Sequence, residues 1–80
     1  MDEELLGSAQ QVAGLVAARG RGDVDGARSL VRALVRDGDL AGGSLLVAEL
    51  ALGLLAQETG ESLDGVVGRL NLELMALPRR

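Results

Sequence analysis

Residues 40–56 read LAGGSLLVAELALGLLA, and the fold turns on how this stretch is covered. At the 100° step of a helix, the leucines between Leu45 and Leu55, together with Val47, point in nearly every direction around the axis. Only the neighbourhood of Glu49 and Gly53 breaks the pattern. A helix that is apolar all round has to be enclosed. In length the stretch approaches a membrane span, but it carries Glu49 at its centre and Gly42, Gly43 and Ser44 near its start. Those residues favour a buried or dimerising helix, and no membrane insertion is expected.

The flanks define the rest of the chain. Asp39 is placed to cap this third helix, although Gly42 and Gly43 weaken its first turn by roughly 1 kcal/mol each relative to Ala, so its regular part is expected to begin near Ser44. Gly60 ends it. Ser62 then caps a fourth helix with the stripe Leu63, Val66, Val67, Leu70, Leu74 and Leu77, which Pro78 stops.

Upstream, a first helix carries Leu5, Leu6, Ala9, Val12, Ala13, Val16 and Ala17 on one face, with Gln10, Gln11, Gly14 and Ala18 largely elsewhere. Gly20-Arg21-Gly22 breaks it. Asp23 caps a second helix whose apolar stripe is Ala27, Leu30, Val31, Leu34 and Val35, and Gly38 is expected to close that helix in the left-handed conformation. The chain therefore reads as all-α: one domain, residues 1–80, with helices at about 2–19, 23–37, 40–59 and 62–77 and a frayed tail at 78–80. The expected arrangement is a small bundle of four helices, two helical hairpins with the apolar third helix at the centre.

Composition narrows the chemistry. At 80 residues the fraction of surface buried on folding is only about 60–65 %, so the fold should be marginal by itself. There is no Cys for a disulfide and no Cys or His for a structural zinc site, which leaves self-association or a partner as the source of extra stability. The 48 % apolar content comes from Leu, Val, Ala and Met alone, a palette suited to helices. The N-terminus, with Asp2, Glu3 and Glu4, has none of the basic and apolar regions of a secretory signal, so cytoplasmic residence is expected.

Catalysis near neutral pH usually draws on His, Cys, Lys or Tyr, and the chain has none of them. No enzymatic activity, cofactor or metal is expected. The carboxylate pairs Asp23 with Asp25 and Asp37 with Asp39 flank helix ends, where capping explains them. Placing Asp23, Asp25 and Gly26 in a calcium loop would make Arg21 the first ligand and Arg32 the last, which excludes that motif. Gly20-Arg21-Gly22 lacks the Gly-Lys-Ser/Thr end of a phosphate loop, and Arg21-Gly22-Asp23 matches an adhesion tripeptide by coincidence. Gly60-Glu61-Ser62-Leu63 resembles in part the phosphopantetheine segment of acyl carrier proteins. Only 18 residues follow Ser62, however, where such carriers need two further helices.

Charge is segregated along the chain. Residues 1–18 carry −3, residues 19–36 carry +3, residues 37–77 carry −6, and Arg79 and Arg80 bring the total to −4. Arg28, Arg32 and Arg36 follow at steps of four and form a basic surface. Nucleic-acid binding is still not expected, because the chain is net acidic and has no aromatic residue to stack a base. A solvated face, or one meeting the acids of helices three and four, accounts for the stripe.

The surplus apolar surface points to an interface. Leu46, Val47, Leu50 and Leu54 of the third helix, with Leu72 and Met75 opposite the main stripe of the fourth, are the expected self-association surface; Gly65 and Gly68 beside them would allow another backbone to approach. A two-fold homodimer is the expected assembly. The use of Arg without Lys, the Gly-Asp helix breaks and the Glu58-Thr59-Gly60 break before a capped last helix make the chain similar to short all-helical proteins of GC-rich actinobacteria and their phages and mobile elements. That likeness carries no specific motif and implies no activity. The expected function is thus a non-enzymatic interaction or adaptor protein. Two alternatives are a transcription-associated regulator that binds DNA through the Arg stripe or mimics it through an acidic face, and a structural component of a larger assembly.

Overall fold

The structure is a computed structural model, and it describes residues 1–79. It is all-α: α1 spans Glu3–Gly20, α2 Val24–Asp37, α3 Leu40–Thr59 and α4 Leu63–Ala76, with no strand among the described residues. Two compact units divide the chain between Ala48 and Glu49, so α3 supplies its first half to one and its second half to the other.

Each helix start is fixed by a side chain that satisfies an otherwise unpaired backbone N–H. Leu5 N–H donates to Asp2 Oδ1 at 2.6 Å, Gly26 N–H to Asp23 Oδ1 at 2.9 Å, Gly42 N–H to Asp39 Oδ1 at 2.8 Å and Gly65 N–H to Ser62 Oγ at 3.0 Å. Glu3 and Glu4 add favourable charge at the positive end of α1. Because Asp2, Asp23 and Ser62 are caps, the helices begin one residue later than the sequence reading placed them. At the other end α4 stops at Ala76, since Pro78 holds Leu77 in extended backbone (φ −65°, ψ 144°). Pro78 and Arg79 lie outside regular structure, while the Arg80 end of the expected tail falls outside the described residues.

In the first unit α1 packs along α2. The buried apolar residues are Ala9, Val12, Ala18, Ala27 and Leu34, and Leu34 is the one large side chain of this unit that is almost wholly covered, at 1 % exposure. The expected α1 face is therefore rotated: Ala9 and Val12 are buried, but Leu6, Ala13, Val16 and Ala17 are exposed, whereas Ser8 and Ala18 are inside. Small residues explain the change. With Leu30 Cδ1 standing 3.7 Å from where a Cβ on Gly14 would lie, and Ala18 and Ala27 both buried, the hairpin packs along a line of small side chains that brings the helices close. On α2 the same geometry leaves Val31 and Val35 exposed.

Two further expectations change at the α2–α3 junction. Gly38 is not left-handed; it is extended (φ −117°, ψ −170°). Extended backbone carries the chain directly into the next cap, where Asp39 N–H donates to the buried Ser8 Oγ at 2.9 Å. A side chain at position 38 would still be crowded, because a Cβ there would stand 3.2 Å from Leu34 Cα and 3.3 Å from Ser8 Oγ. The regular part of α3 starts at Leu40 and not at Ser44. Gly42 and Gly43 are held in the first turn by the Asp39 cap and by packing: a Cβ on Gly43 would lie 2.9 Å from the Ser8 carbonyl carbon, so α3 meets α1 there backbone to backbone.

In the second unit α3 ends at Gly60, whose φ of +73° suits glycine, and Thr59 Oγ1 donates to Leu55 O at 2.9 Å across the last turn. Glu61 Oε1 and Arg69 Nη2 pair at 2.7 Å and tie the turn to α4. Leu52 and Leu55 of α3 and Val66, Arg69, Leu70 and Glu73 of α4 line one cleft of about 190 Å³. Val66 alone is fully buried in this unit. The other members of the stripe expected on α4, Leu63, Val67, Leu70, Leu74 and Leu77, are exposed, because two helices cover only one narrow line of each other.

Candidate interaction surface

The most unusual property of the molecule is the exposure of α3. Of its 20 residues only Gly43 is buried, although the mean hydropathy of its most apolar stretch is 1.6. By length and composition it is the one helix among the described residues apolar enough to cross a membrane.

The expected self-association residues divide between the two units. Leu46 and Val47 are half-buried in the first. In the second, Leu50 and Leu54 are 60 % and 61 % exposed, and Leu72 and Met75 are both 66 % exposed. Leu50 and Leu54 are one helical turn apart and form a short apolar ridge on α3. Leu72 and Met75, at a three-residue spacing on α4, form another beside Gly68. Space for a Cβ is open at Gly53 and Gly68, whereas at Gly65 it is taken by the Ser62 Oγ, 3.2 Å away. Sequence reasoning missed the larger part of the open surface on α4, because it assigned Leu63, Val67, Leu70, Leu74 and Leu77 to the core.

The basic surface is solvated. Arg28, Arg32 and Arg36 are exposed; Arg36 pairs with its neighbour Asp37 at 3.0 Å, and Arg28 and Arg32 make no ion pair among the described residues. One member of each carboxylate pair serves the backbone: Asp23 and Asp39 cap α2 and α3, while Asp37 accepts from Arg36 Nε and Asp23 Oδ2 stands 4.0 Å from Arg21 Nη2. Among the described residues no group of three acidic residues is close enough to hold a metal ion.

One concavity escaped the sequence reading. A cleft of about 440 Å³ opens where α1 meets the start of α2, with Leu15, Val24, Ala27 and Val31 on its surface and Arg19 and Arg28 among its polar lining. Its signal lay in the small residues that set the hairpin's closest approach towards Ser8, Gly14 and Ala18 and left the valines aside. The Ser8–Asp39 hydrogen bond was likewise illegible, since a serine in an apolar helix usually serves its own backbone. In comparisons with protein-family models, with curated proteins and with solved structures, the chain matches none.

Proposed function

We propose that this chain is a non-enzymatic interaction protein that works by presenting the apolar surfaces of α3 and α4 to another protein, and that it self-associates through them. The supporting observation is the bareness of α3 beyond Ala48: Leu50 and Leu54 each leave about three-fifths of their surface open, while Leu34 and Val66 are the largest fully buried side chains among the described residues. Full burial of a leucine side chain contributes about 1.5–3 kcal/mol, so the open three-fifths of Leu50 and of Leu54 each leaves roughly 1–2 kcal/mol as the driving force offered to a partner. A two-fold homodimer uses that surface most simply, and a cytoplasmic location accords with it.

A membrane reading draws on the same helix, since 20 residues at 1.5 Å each give about 30 Å, the thickness of a bilayer core. Glu49 sits at the midpoint of that span, where an acid costs about 2.5–3.5 kcal/mol, and this weighs toward the protein-binding reading. The discriminating experiment is flotation with neutral phospholipid vesicles, run beside size-exclusion chromatography of the native chain and of the Leu50→Glu, Leu54→Glu double variant. The expected outcome is native protein that stays in the aqueous fraction as an associated species and a double variant that elutes as a smaller one. Flotation of the native chain with vesicles, or identical elution of the two proteins, would overturn the proposal.

A further inference from the structure

Within the second unit, the open stripe of α4 has a regular spacing. Leu63, Val67, Leu70 and Leu74 recur at steps of four, three and four, with Leu77 three residues further on, just past the helix end. This is the 3.5-residue repeat of a coiled-coil seam, which packs against another helix bearing the same repeat. The chain's own α3 borders it only at Leu70, which lines the cleft with Leu52 and Leu55: Val66 is covered at 1 % exposure, while Leu63, Val67, Leu70 and Leu74 remain 53 %, 41 %, 39 % and 54 % exposed.

We infer that the α4 seam is occupied by the α4 of a second copy, lying antiparallel to the first. This rests on the self-association proposed above, whose surface spans α3 and α4, and identifies the α4 part of its contact and its direction. The charges choose the occupant and its orientation. Glu58 and Asp64 stand around the start of α4 with no ion-pair partner among the described residues, and Arg79 stands past its end, also unpaired. An antiparallel copy sets the acidic start of each α4 beside the basic end of the other, so the surface is complementary to itself. A parallel copy would stack acids on acids and Arg79 on Arg79, and would align the helix dipoles. Glu73 is the one acid near the far end of α4, and it lines the cleft with α3.

In antiparallel seams a position of one kind faces the other kind on the partner helix, so Leu63 lies opposite Leu74 of the second copy and Val67 opposite Leu70. Two Leu63 side chains are then separated by eleven residues of helix, about 16 Å along the axis, and so are two Leu74 side chains.

The chain has no cysteine, so engineered thiols report this geometry without interference. Leu63→Cys and Leu74→Cys would be prepared separately, one of them with a mass tag, and oxidised alone and as an equimolar mixture, with the solution mass of the native chain measured in parallel. Both sites are exposed, and circular dichroism checks that each variant keeps its helices. The expected result is a mixed disulfide between the Leu63→Cys and Leu74→Cys chains, with each variant alone remaining at least tenfold less crosslinked. Self-crosslinking of Leu63→Cys would overturn the inference in favour of a parallel pair. A native dimer without the mixed disulfide would overturn it while leaving self-association standing, with the Leu72 and Met75 ridge as the contact. A native monomer at every concentration would overturn both.

Discussion

Replacing Gly43 by alanine should destabilise the protein, although alanine is the better helix former. In an open helical position the exchange gains about 0.5–1 kcal/mol, because glycine loses more backbone freedom on folding. At Gly43 the added methyl would stand 2.9 Å from the Ser8 carbonyl carbon, 3.0 Å from its oxygen and 3.1 Å from Ala9 N. These are backbone atoms of α1 and cannot swing aside, so α3 must retreat. Overpacking of this kind costs typically 1–3 kcal/mol, and retreat also lengthens the 2.9 Å bond between Asp39 N–H and Ser8 Oγ. The net expectation is a loss of about 1 kcal/mol, or about 4–8 °C in Tm for a domain of this size. Gly7→Ala is the internal control, since Gly7 lies within α1 and a Cβ there meets nothing within 4 Å. That substitution should raise stability by up to about 1 kcal/mol. Urea unfolding followed by circular dichroism, at one fixed protein concentration because the proposed association would add to stability, reads both. Equal gains for the two variants would refute the backbone-to-backbone contact between α1 and α3.

Other expectations are read from the same unfolding curves or from simple binding assays. Ser8→Ala removes the acceptor of the Asp39 N–H and should cost about 1–2 kcal/mol, whereas Ser44→Ala, at an exposed site, should stay within about 0.5 kcal/mol. Leu34→Ala empties the best-covered site of the first unit and should cost about 2–5 kcal/mol, enough to leave much of a marginal chain unfolded; Val35→Ala, 67 % exposed one residue away, should cost far less. Loss of a cap in Asp23→Ala should lower stability by about 1 kcal/mol, and a value near zero would contradict the role assigned to its bond with Gly26 N–H. Fluorescence anisotropy with duplex DNA should show no salt-dependent binding that Arg28→Ala, Arg32→Ala abolishes; finding it would make the basic surface of α2 a site in its own right.

The sequence carried the helices well and their packing faces poorly, for physical reasons visible at single residues. Caps are local, so Asp23, Asp39 and Ser62 could be recognised from a side chain and the N–H three residues on, and Gly60 from its place between two helices. Gly38 misled because glycine after a helix has two uses, left-handed closure and close approach, and only the neighbouring Ser8 and Leu34 decide for the second. The inward face of α1 was misassigned because hydrophobic spacing weights Leu6 and Val16 by their apolar character, whereas the hairpin is set by how near small residues let two backbones come. On α4 the periodicity marks the apolar stripe but not its burial, since spacing identifies an apolar face without saying whether the chain itself covers it. For the candidate surface, Leu50, Leu54, Leu72 and Met75 are as exposed as an interface requires, whereas Leu46 and Val47 are already half used by the first unit.

Sedimentation equilibrium of the native chain in detergent-free buffer, carried from low micromolar to submillimolar concentration, bears most directly on whether other protein covers the bare leucines of α3 and α4. The mass should rise reversibly with concentration and level at twice the chain mass of 8.2 kDa. A folded, helical particle that keeps the single-chain mass across the whole range would contradict it.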